Sequence, residues 1–253
     1  MAGVSRLQYT SDVRLIRVMC SGRIDLEFIL RAFFNGQDGV FIVGCRLNEC
    51  NYVTHGNYHA LNVALLGKRI LEYIGLNPER LNIQFMSAGD GILFAEHMNA
   101  FDSKVKELGP LGLGEGIDRE ELKYKIKDIE RLIPYIKIAK REKLGGRLTK
   151  NEDYEGLFTK DEVEELFRDV PSYYIDPEKC QACMMCFRRC PAGAIVGGKN
   201  RIHVIDQDKC IKCGTCLEVC PPRFSAVTKL AGEPVPPPIP EEKRVIARKG
   251  KKE

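Results

Sequence analysis

The 253-residue sequence has no long hydrophobic run and no amino-terminal stretch in which positive charge precedes an apolar segment. A membrane-spanning helix needs about 20 consecutive apolar residues, so we expect no membrane span. Without a secretory leader we expect a cytoplasmic protein whose cysteines do not form disulfides. A net charge of only +4 gives no reason to expect a nucleic acid partner.

Patterns of catalytic side chains are also scarce. No Ser-His-Asp or paired-carboxylate arrangement stands out, and His97 and His203 are interpreted as surface or packing residues. The glycine-rich stretch 109–116 does not follow a strand and open a helix, as a dinucleotide-binding loop would, so we interpret it as a hinge. The sequence gives no indication of a substrate pocket, and we expect a non-catalytic chain.

Cysteine, by contrast, is plentiful: eight of the eleven cysteines fall in two runs that share the spacing C-x2-C-x2-C-x3-C-P. This spacing, written twice, is the pattern of bacterial-type ferredoxins with two [4Fe-4S] clusters, in which the fourth cysteine of each run binds the other cluster. Structural zinc favours C-x2-C pairs separated by a longer gap. The ligands expected for the first cluster are Cys180, Cys183, Cys186 and Cys220. Those expected for the second are Cys210, Cys213, Cys216 and Cys190.

The hydrophobic pattern divides the chain into four regions. We expect an α/β domain with a small parallel sheet at 1–116, a helical connector at 117–172, a two-cluster ferredoxin-like α+β domain at 173–230, and a Pro-rich, basic tail at 231–253. The ferredoxin region repeats after 30 residues, from Ile175-Asp-Pro-Glu-Lys-Cys180 to Ile205-Asp-Gln-Asp-Lys-Cys210. The tail is expected to be disordered from Lys243.

The spacing of apolar residues predicts the individual helices and strands. In the first region, apolar runs predict strands at 13–19, 39–43 and 81–86, and helical stripes predict helices that end at Gly36, Gly75 and Gly109. In the connector we expect one helix at about 118–142, interrupted near Pro134. A second is expected at 160–169, opened by a capping box between Thr159 and Glu162.

Three further cysteines lie in the first region. Cys20 and Cys45 each follow a predicted strand, and Cys50 lies five residues after Cys45. Ligands gather at the carboxyl ends of parallel strands, so the three are candidate metal ligands. Buried cysteine is also a common small hydrophobe, and spacing alone leaves both interpretations open.

Several motifs of the first region resemble, in the same order, those of one family. They are Ile16-Arg-Val-Met-Cys20, Gly39-Val-Phe-Ile-Val-Gly-Cys45, Gly56-Asn-Tyr58, Gly75-Leu-Asn-Pro-Glu-Arg-Leu81 and Glu107-Leu-Gly-Pro110. Together they are similar to the iron-sulfur (delta) subunit of methyl-viologen-reducing hydrogenases, which docks to heterodisulfide reductase. The resemblance covers about residues 2–115.

The resemblance implies an electron-transfer subunit with a [2Fe-2S] cluster, for which Cys20, Cys45 and Cys50 are the candidate ligands. Such a subunit relays electrons between a hydrogenase or formate dehydrogenase and a heterodisulfide reductase-like flavin subunit. The alternative is a docking scaffold without its own cluster in the first domain, so that only the ferredoxin domain is redox-active.

One departure from the family pattern bears on this choice. Members of the family begin with a cysteine-rich segment that does not precede Ala2 here. Three explanations remain open: the cluster is lost, a partner chain supplies the missing ligand, or the true start lies upstream of Met1. His55 and His59 are the remote substitutes for a fourth ligand.

Overall fold

The computed structural model describes residues 7–52, 56–148 and 151–246. The chain divides into two compact units, Met1–Ile133 with Ala139–Glu164 and Pro134–Ile138 with Glu165–Glu253. One parallel and two antiparallel sheets accompany the helices, so the predicted fold class is confirmed. Among the described residues no helix has both the length and the apolar character to span a bilayer. The four domain boundaries stay a prediction.

The first unit is built on a two-stranded parallel sheet. Its elements are α1 (Leu26–Phe34), β1 (Val40–Gly44), α2 (Asn57–Ile74), β2 (Leu81–Phe85) and α3 (Gly91–Leu108). Val40 pairs with Leu81 and Gly44 pairs with Phe85, so the carboxyl ends of the two strands lie side by side. The three predicted helices and the strands at 39–43 and 81–86 are confirmed.

The predicted strand at 13–19 is wrong. These residues form no regular element, and Leu15, Ile16 and Met19 are 62%, 87% and 93% exposed. An apolar run becomes a strand only where its backbone finds a partner, and the parallel sheet of the described residues contains β1 and β2 alone. The segment instead leads into a single 3-10 turn at Ser21–Arg23.

In place of the predicted hinge at 109–116, the structure has a clasp around a buried arginine. The Arg80 side chain is 0% exposed, and its Nε and Nη2 donate to the two carboxylate oxygens of Glu115 at 2.6 and 3.0 Å. Its remaining donors reach the backbone oxygens of Asp38 at 3.0 Å and Leu108 at 3.2 Å. Gly114 has no room for a Cβ, which would overlap the Leu108 carbonyl. These contacts hold the glycine-rich segment in place.

The connector is helical, as predicted. It contains α4 (Arg119–Ala139), α5 (Arg141–Gly145) and α6 (Lys160–Arg168), and Pro134 lies inside α4 without ending it. The Thr159 hydroxyl accepts a hydrogen bond from the Glu162 backbone at 3.2 Å, which is half of the predicted capping box. The Glu162 carboxylate instead pairs with Lys140 at 2.5 Å and Lys143 at 2.7 Å.

The second unit contains both cysteine runs. Its elements are β3 (Pro171–Ile175), α7 (Met185–Arg189), β4 (Ile195–Gly198), β5 (Arg201–Ile205), α8 (Thr215–Glu218) and β6 (Val227–Ala231). β3 pairs with β6, and β4 pairs with β5, both antiparallel. Between these ribbons lies a core in which Cys180, Cys186 and Cys216 are buried among apolar side chains such as Ile175 and Ile205.

The Pro-rich tail lies against this second unit. Residues 235–239 line a shallow cavity together with Ile202 and Val204 of β5. Val245 then forms an isolated bridge with Arg201, and the Ile246 amide donates to the Asn200 carbonyl at 2.9 Å. The expected disorder from Lys243 is therefore wrong as far as residue 246, and residues 247–253 lie outside the described residues.

Candidate iron-sulfur sites

Both cysteine runs fold into loops with the same backbone shape. Ala182 and Met184 in the first run have φ angles of 48° and 67°, and Lys212 and Gly214, which follow them by 30 residues, have φ angles of 58° and 80°. Left-handed residues turn the chain sharply and gather backbone N–H groups around one centre, which favours a negatively charged group there. α7 begins directly after Met184 and α8 directly after Gly214, so each loop also ends in the same way.

One group of thiols joins three cysteines of the first run to the last cysteine of the second. Cys180, Cys183 and Cys220 lie close enough to Cys186 to act on its charge. Burial, together with these neighbouring thiols, raises the pKa of Cys186 to about 11. Such a thiol loses its proton at neutral pH only when a positive charge, such as that of iron, takes its place.

The second group joins the first three cysteines of the second run to Cys190. Burial, with Cys210 and Cys213 nearby, raises the pKa of Cys216 to about 12. Cys190 lies next to Cys210, and its sulfur accepts a hydrogen bond from the Ala194 amide at 3.3 Å. All four cysteines line one small cavity.

The chemistry of the two groups fits the pair of [4Fe-4S] clusters that the spacing predicts. Each brings together four thiols from two loops, close enough to influence one another's charge. No three Cys, His, Asp or Glu side chains of the described residues surround a single metal-ion position. A [4Fe-4S] cluster does not require that arrangement, because each of its four irons takes one thiolate. The individual ligand assignments stay a prediction.

The surroundings of the two groups differ in charge. Burial raises the pKa of Cys210, and the backbone and ammonium of Lys212 oppose that rise. The Lys212 ammonium is held in place by a hydrogen bond that it donates to Gln207 Oε1 at 2.8 Å. The repeat places Ala182 at the equivalent position of the first run, so the second group alone has this cation.

A residue that the sequence interpretation missed lies beside the first group. His203 on β5 is 1% exposed, with Nδ1 3.5 Å from the Cys186 sulfur and Nε2 3.3 Å from the Met184 sulfur. Burial lowers the pKa of His203, and a hydrogen bond with the Gly198 backbone partly offsets this. The 30-residue repeat was the available signal, because it aligns His203 with Tyr173, which lines the cavity of the second group.

In the first unit the structure brings Cys20, Cys45 and Cys50 together. The Cys50 thiol is within hydrogen-bonding reach of both other thiols. Burial raises the pKa of Cys45, and the adjacent Cys50 adds to the rise. Burial also acts to raise the pKa of Cys50, but hydrogen bonds from the backbone N–H groups of Asn57 and Tyr52 and from the Cys45 and Cys20 thiols together hold that pKa below its usual value. A lowered pKa at the start of a helix favours the thiolate that binds metal.

The beginning of α2 positions two of these thiols. The buried Asn57 side chain donates to the backbone oxygens of Cys45 at 2.9 Å and Arg46 at 2.7 Å, and its Nδ2 lies 3.7 Å from the Cys45 sulfur. Gly56 has no room for a side chain, because a Cβ there would overlap the Cys50 sulfur and the Tyr52 carbonyl. The Gly56-Asn57 motif, whose role the sequence interpretation did not assign, is therefore explained by contact with the sulfurs.

The described residues supply three of the four ligands that a [2Fe-2S] cluster takes. Of the two substitutes considered, His59 lies with its Nδ1 3.0 Å from the backbone oxygen of Leu144, which is part of its packing against α5. His55 falls outside the described residues. The three sulfurs therefore fit part of such a cluster.

Comparison with known proteins gives two family matches. The profile of the methyl-viologen-reducing hydrogenase delta subunit matches residues 1–109, which include the three first-unit cysteines. The profile of the 4Fe-4S dicluster domain matches residues 172–221, which include all eight cysteines of the two runs. The matches therefore cover both candidate sites.

Individual relatives divide into two kinds. The chain is 41% identical over 112 residues, 44% of its length, to a Ferredoxin/F(420)H(2)-dependent CoB-CoM heterodisulfide reductase subunit of Methanosarcina acetivorans, but it spans only 14% of that protein. It is 44% identical over 110 residues, again 44% of its length, to F420-non-reducing hydrogenase iron-sulfur subunits of Archaeoglobus profundus and Methanococcus maripaludis. It spans 80% and 81% of these two proteins. The chain belongs to the iron-sulfur (delta) subunit family of methyl-viologen-reducing hydrogenases.

Proposed function

We propose that the chain is an electron-transfer subunit of an oxidoreductase complex. Its second unit holds two [4Fe-4S] clusters, and its first unit docks a heterodisulfide reductase-like flavin subunit. A hydrogenase or formate dehydrogenase stands at the other end of the relay. The names of the relatives support the hydrogenase and reductase ends of this proposal. A reducing cytoplasm suits so many free thiols.

The observation that carries the proposal is the convergence of the two cysteine runs on two four-thiol groups. Each group contains three cysteines of one run and one of the other, since Cys220 lies near Cys186 and Cys190 lies near Cys210. That exchange of one cysteine between the runs is the ligand pattern of two-cluster ferredoxins.

The chain's own residues would hold the clusters, keep water away and set the charge around them. A bound cluster supplies a one-electron couple whose potential depends on burial, nearby charge and hydrogen bonds to sulfur. Cys180, Cys186 and Cys216 are buried and shielded from water, whereas Cys183 is exposed. The Lys212 ammonium adds positive charge beside the second group.

The ligand exchange gives the sharpest test. We expect the anaerobically purified full chain to contain at least eight irons, with two one-electron waves in an EPR-monitored redox titration. Cys220→Ser should alter the wave of the cluster that the first run holds, although Cys220 belongs to the second run. Its matched control, Cys190→Ser, should alter the other wave. If each variant altered the cluster of its own run, or if iron were absent, the proposal would be wrong.

Docking is tested separately by mixing the reduced chain with a purified heterodisulfide reductase-like flavin subunit. Electron delivery would appear as loss of the oxidised flavin absorbance. A chain that loads its clusters but neither binds nor reduces this flavoprotein would contradict the proposed partner while leaving the clusters in place.

The second candidate function is a docking scaffold whose first unit has no cluster. Among the described residues of the first unit three thiols converge rather than four, which favours this candidate. About eight irons per chain would support the scaffold, and about ten would support an additional [2Fe-2S] cluster. Cys50→Ser should bring ten irons down to eight in the second case and leave eight unchanged in the first.

A further inference from the structure

The imidazole of His203 is buried, and it contacts residues of the first cysteine run and of its own ribbon. Phe187 stacks on the ring with centroids 5.9 Å apart. Gly197 on the neighbouring strand β4 makes the space, because a Cβ there would overlap the ring. The ring nitrogens point at two sulfurs, that of Cys186 at 3.5 Å and that of Met184 at 3.3 Å.

Three acceptors compete for the ring proton: the sulfurs of Cys186 and Met184 and the backbone of Gly198. A thioether sulfur and a metal-bound thiolate sulfur both lack a proton, so both act only as acceptors. A neutral imidazole has one N–H to give, and the thiolate of Cys186 is the strongest of these acceptors because it alone bears negative charge. Nδ1 therefore carries the proton and donates to the Cys186 sulfur whenever the first cluster is bound.

We infer that His203 is a positioning residue whose Nδ1–H hydrogen bond to the Cys186 sulfur raises the reduction potential of the first cluster. The inference rests on the proposed cluster ligands and goes beyond them. Reduction adds negative charge that spreads to the ligand sulfurs, so a donor at the sulfur stabilises the reduced form more than the oxidised one. A buried donor is most effective, because no water competes with it.

The internal repeat makes this effect specific to one cluster. The equivalent of His203 in the other half is Tyr173, which offers a hydroxyl in place of a ring nitrogen. Its hydroxyl lies against Gly214, the residue equivalent to Met184. The two halves thus share a backbone and differ in the donor that faces the loop.

The test uses the full chain with its clusters loaded and compares four forms in EPR-monitored redox titrations. His203→Leu removes the donor and keeps an apolar side chain. His203→Asn keeps an N–H near the position of Nδ1. Tyr173→Phe is the matched control in the other half. We expect His203→Leu to make reduction of one cluster about tenfold less favourable, which is about 59 mV for a one-electron couple.

The inference requires that His203→Asn recover most of this shift and that the second wave stay in place in both His203 variants. Equal shifts in the Leu and Asn variants would mean that packing alone matters and would overturn it. Unchanged potentials would also overturn it, while intact cluster loading would leave the proposed function standing. If His203→Leu fails to fold, ENDOR of the wild-type chain with 15N-labelled histidine decides: a histidine coupling at the reduced cluster supports the inference, and its absence refutes it.

Discussion

Loss of the Glu115 carboxylate should destabilise the first unit far more than loss of an exposed carboxylate in the same region. In Glu115→Gln the Arg80 guanidinium stays buried at 0% exposure and loses its counter-charge. Removing one partner of a buried ion pair costs about 3 to 5 kcal/mol. Glu115 also accepts from the Asn77 amide and the Gly112 amide, both at 3.2 Å, so its loss frees the glycine-rich segment as well.

Amide hydrogen exchange is the suitable assay because it reads each unit separately, and the chain contains no tryptophan to report unfolding by fluorescence. At 1.4 kcal/mol per factor of ten, the most protected amides of α2 and β2 should exchange about 100 to 4,000 times faster in Glu115→Gln. Amides of β3 and β5 in the second unit should keep their rates. The matched control is Glu79→Gln, which breaks the exposed pair with Lys104 and should change little.

The ion pair also predicts a pH dependence. Burial acts to raise the pKa of Glu115, but the hydrogen bonds from Arg80 and from the Asn77 and Gly112 amides outweigh it, so that pKa stays below 4.5. A carboxyl with a lowered pKa stabilises the fold above its unfolded pKa and loses that contribution as the pH falls through the folded value. If the amides of α2 in Glu115→Gln exchanged within threefold of their wild-type rates at neutral pH, the reasoning about the buried ion pair would be refuted.

Three other perturbations follow from the same structure. Gly56→Ala should displace the Cys50 sulfur and lower thiol-dependent metal binding in the first unit, measured by iron analysis, whereas Gly89→Ala, with nothing within 4 Å of the added Cβ, should not. Gly197→Ala should push the His203 ring from Cys186 and lower one cluster potential, as His203→Leu does, while Gly198→Ala should have no effect because its Cβ meets open space. Burial acts to raise the pKa of Glu162, but Lys140 and Lys143 hold it below 4.5, so α6 should lose protection from exchange as the pH falls below about 4.5. Glu162→Gln should abolish that pH dependence, and Glu164→Gln on the exposed face should retain it.

The sequence predicted the elements whose ends have a local cause. α2 ends where Gly75 adopts a φ of 94°, and α3 ends at Gly109 with a φ of 73°, so a residue type sets the boundary in both cases. The prediction of a strand at 13–19 was wrong for the opposite reason. Whether an apolar run pairs depends on a distant backbone, and the spacing of apolar residues along the sequence does not reveal that partner. The clasp around Arg80 was beyond prediction too, since a buried charge depends on partners 35 residues away.

The two kinds of cysteine site also differ in how far the local sequence predicts them. The two cysteine groups of the ferredoxin unit are largely determined by the local sequence, because the left-handed residues at positions 182, 184, 212 and 214 shape each loop. The first-unit site takes its thiols from the residue before a 3-10 turn, the residue after β1 and the loop that precedes α2. Cys20 reaches the others even though the strand predicted before it is absent, because Gly44 leaves room for Ser21 at the end of β1.

The position of His203 depends on distant residues, as the first-unit site does, although His203 lies in the ferredoxin unit. Spacing placed Cys186 in its loop, but the residue that faces its sulfur comes from β5, 17 positions later. Repetition of a motif therefore predicts where two clusters bind, and the differences between the copies predict how the clusters differ. Lys212 occupies the position equivalent to Ala182, and His203 the position equivalent to Tyr173, so the second copy supplies a cation beside one cysteine group and an imidazole beside the other. The two halves are thus alike in the backbone of their cysteine loops and unlike in the polar groups beside their thiols.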